Sequence, residues 1–304
     1  MSELCLWAAS VILQASGATK DDLCDTQAVI APASSTTNAS GQTPVRSPLN
    51  QHSPSTQVAV EFSHQDSQRA QTRPRSGSQL FHQRWAALQA GQTYTRLPTH
   101  SFESQWQHVV HQPTYQDWMT LLAQEAQSMA IGQGNNPLTV IVGDSLSLWM
   151  PTELMPRHRF WLNQSISGET AAAMVKRLHA FDHTHPDVIH VMAGINDLKN
   201  GATDAEVLHS LRLIMRYLRN QHPRATVMIH SILPTRLPNL PSDRIRLINT
   251  YLGQVAHQEG VEFLDLQQHF TDPYGHLSQN LTTDGLHLNY RGYTVWQSLM
   301  HQVQ

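Results

Sequence analysis

One short turn of this chain carries a residue type that nucleophilic chemistry requires. The segment Val142-Gly143-Asp144-Ser145-Leu146 ends an apolar run that starts at Leu138, and a short helical stretch follows it. A serine in this turn lies beyond the carboxyl end of a predicted strand, at the edge where open α/β sheets bind ligands. Ser145 is therefore a candidate nucleophile. The alternative is that Asp144 and Ser145 are ordinary turn and helix-cap residues.

An aspartate and a histidine stand three residues apart near the end of the chain, in Asp284-Gly285-Leu286-His287. This spacing lets the Asp284 carboxylate reach one ring nitrogen of His287, which fixes the tautomer and leaves the other nitrogen to take a proton. The position of the pair, in the loop before the predicted last helix, favours a general base over an incidental surface pair. Serine, aspartate and histidine in this arrangement predict a hydrolase that attacks carbonyl groups.

Such a reaction also needs hydrogen-bond donors for the negative oxygen that forms on the substrate. Gly168 is predicted to open the helix after the second strand, where a backbone N–H can approach a ligand closely. Asn196 follows the third strand and offers a side-chain amide from the same edge of the sheet. The ordinary alternatives are a glycine that starts a helix and a turn asparagine beside a capping Asp197.

Along the chain these blocks follow one another in the order Ser145, Gly168, Asn196, His287. In this order they closely resemble the SGNH hydrolase superfamily, also called GDSL lipases and esterases. The resemblance covers about residues 136 to 304 and is nearest to small bacterial lysophospholipase and platelet-activating-factor acetylhydrolase-like members. It implies a flavodoxin-like three-layer α/β/α sandwich with Ser145, Asp284 and His287 as catalytic residues. It also implies an oxyanion hole formed by the N–H groups of Ser145 and Gly168 and by the Asn196 side chain.

Apolar runs that alternate with helical patterns predict the elements that must position these residues. Strands are predicted at 138–142, 159–163, 187–193, 225–231 and 261–266, and helices near 168–181, 203–221, 242–259 and 289–302. Asp204, Ser242 and Asn289 are predicted helix N-caps. The alternation indicates a five-stranded parallel sheet with helices on both faces and right-handed crossovers.

Composition divides the chain before the sheet into three segments. Residues 1–24 contain a short apolar run, residues 25–78 are rich in Ser, Thr, Gln and Pro and predict a disordered linker, and residues 79–136 regain aromatic side chains. The last segment predicts a helical extension that packs on the hydrolase domain, residues 137–304. One helical face there carries Trp118, Leu121, Leu122, Ala126 and Met129. The alternative is that Trp85, Trp106 or Trp118 covers the active site.

Charge and cysteine content limit the classes of partner. The formal net charge is −3 and no basic stripe is present, so we expect no nucleic-acid partner. The two cysteines, Cys5 and Cys24, lie outside the predicted catalytic region. The apolar run from Leu4 to Leu13 is too short to span a bilayer, and no Lys or Arg precedes it, so a signal peptide is only weakly indicated. Cytoplasm and cell envelope both stay open, as does the oligomeric state.

Several other polar residues are candidates for further roles. The pairs His108/His111 and His183/His185 have ligand-like spacing, but no matching second pair accompanies them, so we expect no metal and no cofactor. His230, at the end of the fourth strand, is a candidate support for the site or a satisfied histidine. Arg236 is a candidate contact for a polar substrate group or a solvated side chain.

The sequence therefore predicts a serine hydrolase that cleaves a small-molecule carboxylic ester, of a lipid or an acylated carbohydrate, through an acyl-enzyme on Ser145. Short-acyl or acetyl esters are expected, because the connections at 194–202 and 233–241 carry no long apolar insertion that could bury a long chain. Two alternatives stay open. In the first alternative, the chain is an O-acyltransferase or a carbohydrate deacetylase that uses the same catalytic residues. In the second, it is a non-catalytic binding module that retains the fold.

Overall fold

The computed structural model describes residues 73–301, all of which belong to one compact unit, Ser55–Gln304. The predicted segment 1–24 and almost all of the predicted linker 25–78 lie outside the described residues. Helix α1, Gly77–Gln89, begins two residues before the predicted start of the extension at 79. Its N-cap, Ser76, accepts a hydrogen bond from the N–H of Gln79.

Five strands form one parallel sheet in the order β2-β1-β3-β4-β5. They are β1 Leu138–Gly143, β2 Phe160–Ser165, β3 Val188–Met192, β4 Thr226–His230 and β5 Glu262–Leu264. All five predicted strands are confirmed, with ends that differ by one or two residues. Both faces of the sheet are covered, which explains why the strands read as nearly continuous apolar runs.

Helices cover the sheet on two sides and confirm the predicted three-layer sandwich. In chain order after β1 they are α4 Ser145–Leu148, α5 Ala171–Val175, α6 Ile195–Lys199, α7 Asp204–Gln221, α8 Ser242–Glu259, α9 Gln267–Phe270 and α10 Tyr290–His301. Val140 and Ile189 pack in one core with α5, α7 and α8. Ile141 and Met192 point to the opposite core, where Trp296 of α10 is fully buried.

Several local predictions were wrong. The predicted helix 168–181 is shorter: α5 ends at Val175, and a separate 3-10 turn covers Leu178–Phe181. Gly168 does not open the helix, because Thr170 caps α5 by accepting the N–H of Ala173. Two of the predicted N-caps are also displaced by one residue. Thr203, not Asp204, caps α7 in a capping box with Glu206, and Pro241, not Ser242, precedes α8.

The segment before the sheet folds into α1, a 3-10 turn at Tyr94–Arg96, α2 Glu103–Trp106 and α3 Tyr115–Gly132. An apolar cluster joins these elements to the sandwich, formed by Leu80, Phe81, Trp118, Leu121 and Leu122 with Leu148 and Ile166. Arg84 of α1 is fully buried, and its Nε donates to Glu125 of α3 at 3.0 Å. Its Nη2 donates to the carbonyl oxygen of Asn163 in β2 at 2.8 Å, which ties the extension to the sheet.

Candidate active site

The turn between β1 and α4 presents Ser145 at the start of a helix. Asp144 is the N-cap of α4, and its Oδ1 accepts the N–H of Leu146 at 2.9 Å. Glycine is required at position 143, since a Cβ there would collide with the Ser147 side chain and lie 2.7 Å from the carbonyl oxygen of Met192 in β3. The close approach of β1 and β3 therefore fixes where the turn leaves the sheet, with Ser145 half-buried.

The three residues predicted to catalyse the reaction form one hydrogen-bonded chain. Oγ of Ser145 lies 3.1 Å from Nε2 of His287, and Nδ1 of His287 lies 2.6 Å from Oδ2 of Asp284. Burial tends to raise the pKa of Asp284, but hydrogen bonds from the ring and the backbone N–H of His287 outweigh it and hold that pKa below its ordinary value. An ionised Asp284 favours a proton on Nδ1 of His287, which leaves Nε2 to accept the Ser145 hydroxyl.

Backbone contacts hold the 284–287 loop in place. The N–H of Arg236 donates to the carbonyl oxygen of Gly285 at 2.8 Å, and the Thr282 hydroxyl donates to that of His287 at 2.6 Å. The guanidinium of Arg236 donates to Asp272 at 2.7 Å and to the carbonyl oxygen of Leu277 at 2.8 Å. Arg236, in the connection after β4, therefore contacts the 284–287 loop and its neighbouring segment. The sequence had suggested that Arg236 contacts a polar group of the substrate.

The two further donors predicted for the oxyanion hole lie side by side. Asn196, in the first turn of α6, is 6% exposed, and its Nδ2 donates to the carbonyl oxygen of Glu169 at 3.1 Å and to Oδ2 of Asp144 at 3.3 Å. Gly168 precedes Glu169 in an exposed turn with φ 79°, a left-handed conformation that favours glycine. Asp197 does not cap its own helix; its Oδ2 accepts the N–H of Ala171 at the start of α5.

Asp144 is a buried carboxyl group at the back of the site. Burial raises its pKa to about 7. The nearby Asp197 and Glu169 carboxylates raise this pKa further, whereas the hydrogen bond from the Leu146 N–H and the charge of His287 lower it. Its two oxygens link the Ser145 turn to the Asn196 amide. The sequence identified Asp144 only as a cap, because nothing in its local spacing indicates a contact with a residue 52 positions later.

A second buried carboxylate supports the Gly168 turn. Glu169 is paired with Arg177, whose Nε donates to Oε1 at 2.6 Å. The Tyr115 hydroxyl, on the first residue of α3, donates to the same Oε1 at 2.8 Å. Burial and this hydrogen bond to Glu169 raise the pKa of Tyr115 to about 12. The extension thus contacts the residue next to Gly168, a connection that no sequence pattern indicated.

The other candidate histidines do not join the Ser145–His287–Asp284 group. Within residues 73–301, no three His, Cys, Asp or Glu side chains come together as a candidate metal site. His230 is buried between the sheet and α10, where its Nδ1 accepts the Trp296 Nε1–H at 3.1 Å and its Nε2 lies 3.0 Å from Nδ1 of His190. These contacts fit the alternative of a satisfied core histidine.

A cavity of about 640 Å³ opens beside His287. Its walls come from the segment after α4, from α10 and from the extension, and they include Leu80, Tyr94, Leu97, Trp149, Met150 and Tyr293. The extension therefore forms part of a pocket next to the candidate base. Its aromatic contribution is Tyr94, whereas the sequence had suggested Trp85, Trp106 or Trp118.

Comparisons with known proteins agree with this fold. The sequence profile of the GDSL-like Lipase/Acylhydrolase family matches residues 127–295, more than half of the chain. Platelet-activating factor acetylhydrolase IB subunit alpha1 of Bos taurus is 26% identical over 199 residues, which cover 61% of this chain and 82% of that protein. A GDSL-like lipase from Bacteroides thetaiotaomicron superposes with a TM-score of 0.53 at 16% identity, covering 61% of this chain and 96% of that one.

The α/β/α sandwich, with a serine at the end of β1 and a histidine before the last helix, defines a serine hydrolase of the SGNH type. The chain belongs to the GDSL-like lipase/acylhydrolase family. It is a carboxylic ester hydrolase. The family profile begins at residue 127, so α1, α2 and most of α3 lie outside the part that the family shares. No helix within residues 73–301 is long and apolar enough to cross a membrane.

Proposed function

We propose that Ser145, His287 and Asp284 hydrolyse the ester through an acyl-enzyme on Ser145. The observation that carries this proposal is the unbroken chain of contacts from Ser145 Oγ through His287 to Asp284, at 3.1 and 2.6 Å. Ser145 is assigned as the nucleophile because its hydroxyl contacts His287, the ring that Asp284 orients.

The reaction runs in two halves. The Ser145 oxygen attacks the carbonyl carbon while its proton moves to Nε2 of His287. The tetrahedral intermediate collapses, the bond to the alcohol oxygen breaks, and His287 returns the proton to that oxygen. Water then attacks the acyl-enzyme in the same way, its proton passes through His287 back to Ser145, and the carboxylic acid leaves. Asp284 stabilises the imidazolium in both halves.

The oxyanion hole is assigned to the N–H groups of Ser145 and Gly168 and to the Asn196 amide. All three stand at or near the carboxyl ends of β1, β2 and β3, where a carbonyl on Ser145 directs its oxygen. In the resting site Nδ2 of Asn196 donates to two acceptors, and the longer bond, 3.3 Å, goes to Asp144. We assign the hydrogen of that longer bond to the oxyanion when it forms.

Small acyl groups, acetyl above all, are the proposed acyl part. The Bos taurus relative described above is named as an acetylhydrolase. In addition, α6 follows directly after β3 with Ile195 and Leu198 buried in the core, so the connection from β3 to α7 packs down on the sheet and forms no cover for a long chain. The alcohol part is a lipid or a carbohydrate.

Hydrolysis is favoured over acyl transfer because the site is open to water. The side chains of His287 and Asp284 are 39% and 52% exposed, so water reaches the acyl-enzyme without displacing protein. The complete set of triad and oxyanion residues disfavours a non-catalytic binding module.

Labelling of the serine tests the proposal. The purified chain treated with a fluorophosphonate should carry the label on Ser145 alone, as shown by peptide mass spectrometry. The Ser145→Ala variant should lose both labelling and turnover of 4-nitrophenyl acetate while keeping its melting temperature, and Ser147→Ala serves as the matched serine control for labelling. A label on another serine, or undiminished turnover in Ser145→Ala, would contradict the proposal. Product analysis with and without a sugar acceptor separates hydrolysis from transfer.

A further inference from the structure

The cavity beside His287 lies on one side only of the candidate catalytic residues. His287 and its neighbour Leu288 line it, together with Tyr293 of α10. Ser145, Gly168 and Asn196 are not among its wall residues. The cavity therefore adjoins the proton-transferring group and not the proposed oxyanion hole.

This placement matters because a serine hydrolase binds the carbonyl oxygen and the alcohol oxygen of its substrate at different groups. The carbonyl oxygen turns to the oxyanion donors, while the alcohol oxygen must stay within hydrogen-bond reach of the histidine that protonates it. A pocket that borders His287 but not Gly168 or Asn196 is therefore adjacent to the departing alcohol.

We propose that this cavity binds the alcohol part of the ester, and that the alcohol is a bulky, mainly apolar group. This inference rests on the proposed function and deepens it. A volume of about 640 Å³ lies within the range of sites for drug-sized ligands, roughly 300–1,000 Å³, and far exceeds what a small alcohol fills. Leu80, Leu97, Leu148 and Met150 supply aliphatic walls, and Tyr94 and Trp149 supply aromatic ones. The charged residues of the lining are Arg73, Arg75 and Glu153.

Part of the cavity wall lies outside the region that the family profile matches. Leu80, Tyr94 and Leu97 precede residue 127, where the shared family region begins. The extension is anchored at this wall, because the Thr95 hydroxyl donates to the carbonyl oxygen of Trp161 in β2 at 2.9 Å and Arg84 stacks over the Tyr94 ring at 4.4 Å. The hydrolase domain supplies the chemistry, and the extension supplies part of the alcohol pocket.

Two ester series, both below their micelle concentrations, test the assignment on the full-length chain. The first keeps acetyl and varies the alcohol through methyl, butyl, hexyl and 2-phenylethyl; the second keeps methanol and varies the acyl group through acetyl, butyryl and hexanoyl. In the first series kcat/KM should rise by about fourfold per methylene, the factor that corresponds to about 0.8 kcal/mol for each buried methylene. The second series should show no such rise.

Variants at Leu97 then place the effect in the cavity. Leu97→Trp places a larger side chain in the cavity wall, narrows the cavity, and should lower the ratio of kcat/KM for hexyl acetate to that for methyl acetate at least tenfold. Leu97→Ala enlarges the cavity and should move the optimum toward 2-phenylethyl acetate, which keeps the test valid if the tryptophan variant fails to fold. Ile131→Trp, on an exposed position of α3 outside the cavity, should leave the ratio unchanged.

Each other outcome overturns the assignment. Selectivity that changes along the acyl series instead would place the acyl group in the cavity. Identical ratios in the wild type and both Leu97 variants would show that no part of the substrate enters it. If the wild-type chain cleaved no ester of either series, the proposed function itself would fail, and the subsite with it.

Discussion

At the scale of single residues, the site consists of groups whose charge and direction are set by a few hydrogen bonds. Asp284 uses one oxygen for the His287 ring and the other for two backbone N–H groups, so neither the carboxylate nor the ring can turn away. Asp144 stands behind Ser145 in a similar way, with one oxygen on the α4 N-terminus and one on the Asn196 amide.

Replacing Asp284 by asparagine tests the orienting role. The amide has only one accepting oxygen, so it cannot accept both the Nδ1–H of His287 and the backbone N–H groups of Leu286 and His287 as the carboxylate does, and it stabilises no imidazolium. We expect kcat on 4-nitrophenyl acetate to fall on the order of 10⁴-fold while KM changes little. Steady-state kinetics measure this, and Asp243→Asn, at an exposed residue of α8, should be without effect. A loss of less than tenfold would remove Asp284 from the mechanism.

Asp144 and Asn196 should act as a unit. Asn196→Ala removes one oxyanion donor and should lower kcat about 10²–10³-fold. Asp144→Asn keeps an oxygen for the Leu146 N–H but sets an NH₂ group against Nδ2 of Asn196, which should displace that amide and lower kcat toward the same level. The double variant should then be no slower than Asn196→Ala alone, because the second change acts through the first. Losses that multiply would show that Asp144 has a separate role.

At the scale of elements, the extension is attached to the sandwich by a buried ion pair as well as by apolar contacts. The Arg84 guanidinium pairs with Glu125 of α3, donates to a carbonyl of β2 and stacks between the rings of Tyr94 and Trp118. Two helices and a strand thus meet at one side chain. The Tyr115–Glu169 contact adds a link from the extension to the Gly168 turn.

Breaking this pair on one side should be costly. Arg84→Met leaves the Glu125 carboxylate buried without its partner, and we expect the free energy of unfolding to fall by about 3–5 kcal/mol. Replacing both residues, as Arg84→Met with Glu125→Leu, should recover much of that loss, because no buried charge remains. Urea unfolding followed by circular dichroism measures both. A single variant as stable as the wild type would show that the extension is not held at this point.

At the scale of the whole molecule, uncharged histidines lie in the core between the sheet and α10. Burial lowers the pKa of His190 to about 3, and nearby Arg159 adds to the shift. Burial and the neighbouring His190 hold the pKa of His230 well below its ordinary value. Both rings are therefore neutral in the folded chain at pH values where the unfolded chain binds a proton.

Stability should therefore depend on pH in a predictable direction. Below pH 6.5 the unfolded chain takes up protons that folded His190 and His230 do not, so each contributes a fall in the free energy of unfolding of up to about 1.4 kcal/mol per pH unit. Asp144 has the opposite effect on stability, because its pKa is raised to about 7 in the folded state. Between pH 7 and the ordinary pKa of an aspartate, the folded chain binds a proton on Asp144 that the unfolded chain does not, so stability increases as the pH falls.

Variants separate these contributions. Between pH 4.5 and 6, the His190→Gln chain should lose stability less steeply than the wild type, by about 1.4 kcal/mol per unit. Asp144→Asn should make the loss steeper by a similar amount. The slope is the measurement, since each substitution also changes stability at every pH. Parallel curves for wild type and His190→Gln would mean that His190 titrates alike in both states.

The sequence by itself predicted the candidate catalytic residues of this protein. Apolar periodicity and composition predicted five strands, and parallel strands place their carboxyl ends along one edge of the sheet. Ser145 and Asn196 follow two of those strands, and Asp284 and His287 are three residues apart. Predicting these four residues therefore required no knowledge of packing. These predictions depend only on short-range spacing and on the order of the elements along the chain. The errors were local as well: Gly168, Asp204 and Ser242 were misplaced by one to three residues. Thr203 and Asp204, for example, are neighbouring residues with similar intrinsic preference for the N-cap position.

Only the tertiary structure decided which distant side chains meet. Asp144 reaches Asn196, Tyr115 reaches Glu169, and His230 is buried against His190 and Trp296, all through contacts between elements far apart in the chain. The cavity beside His287 is also a tertiary feature, because its walls come from the extension, the segment after α4 and α10 at once. Periodicity shows that a helix has an apolar face, but the partner of that face depends on the sum of many weak packing contacts. That sum exists only once the whole chain has folded.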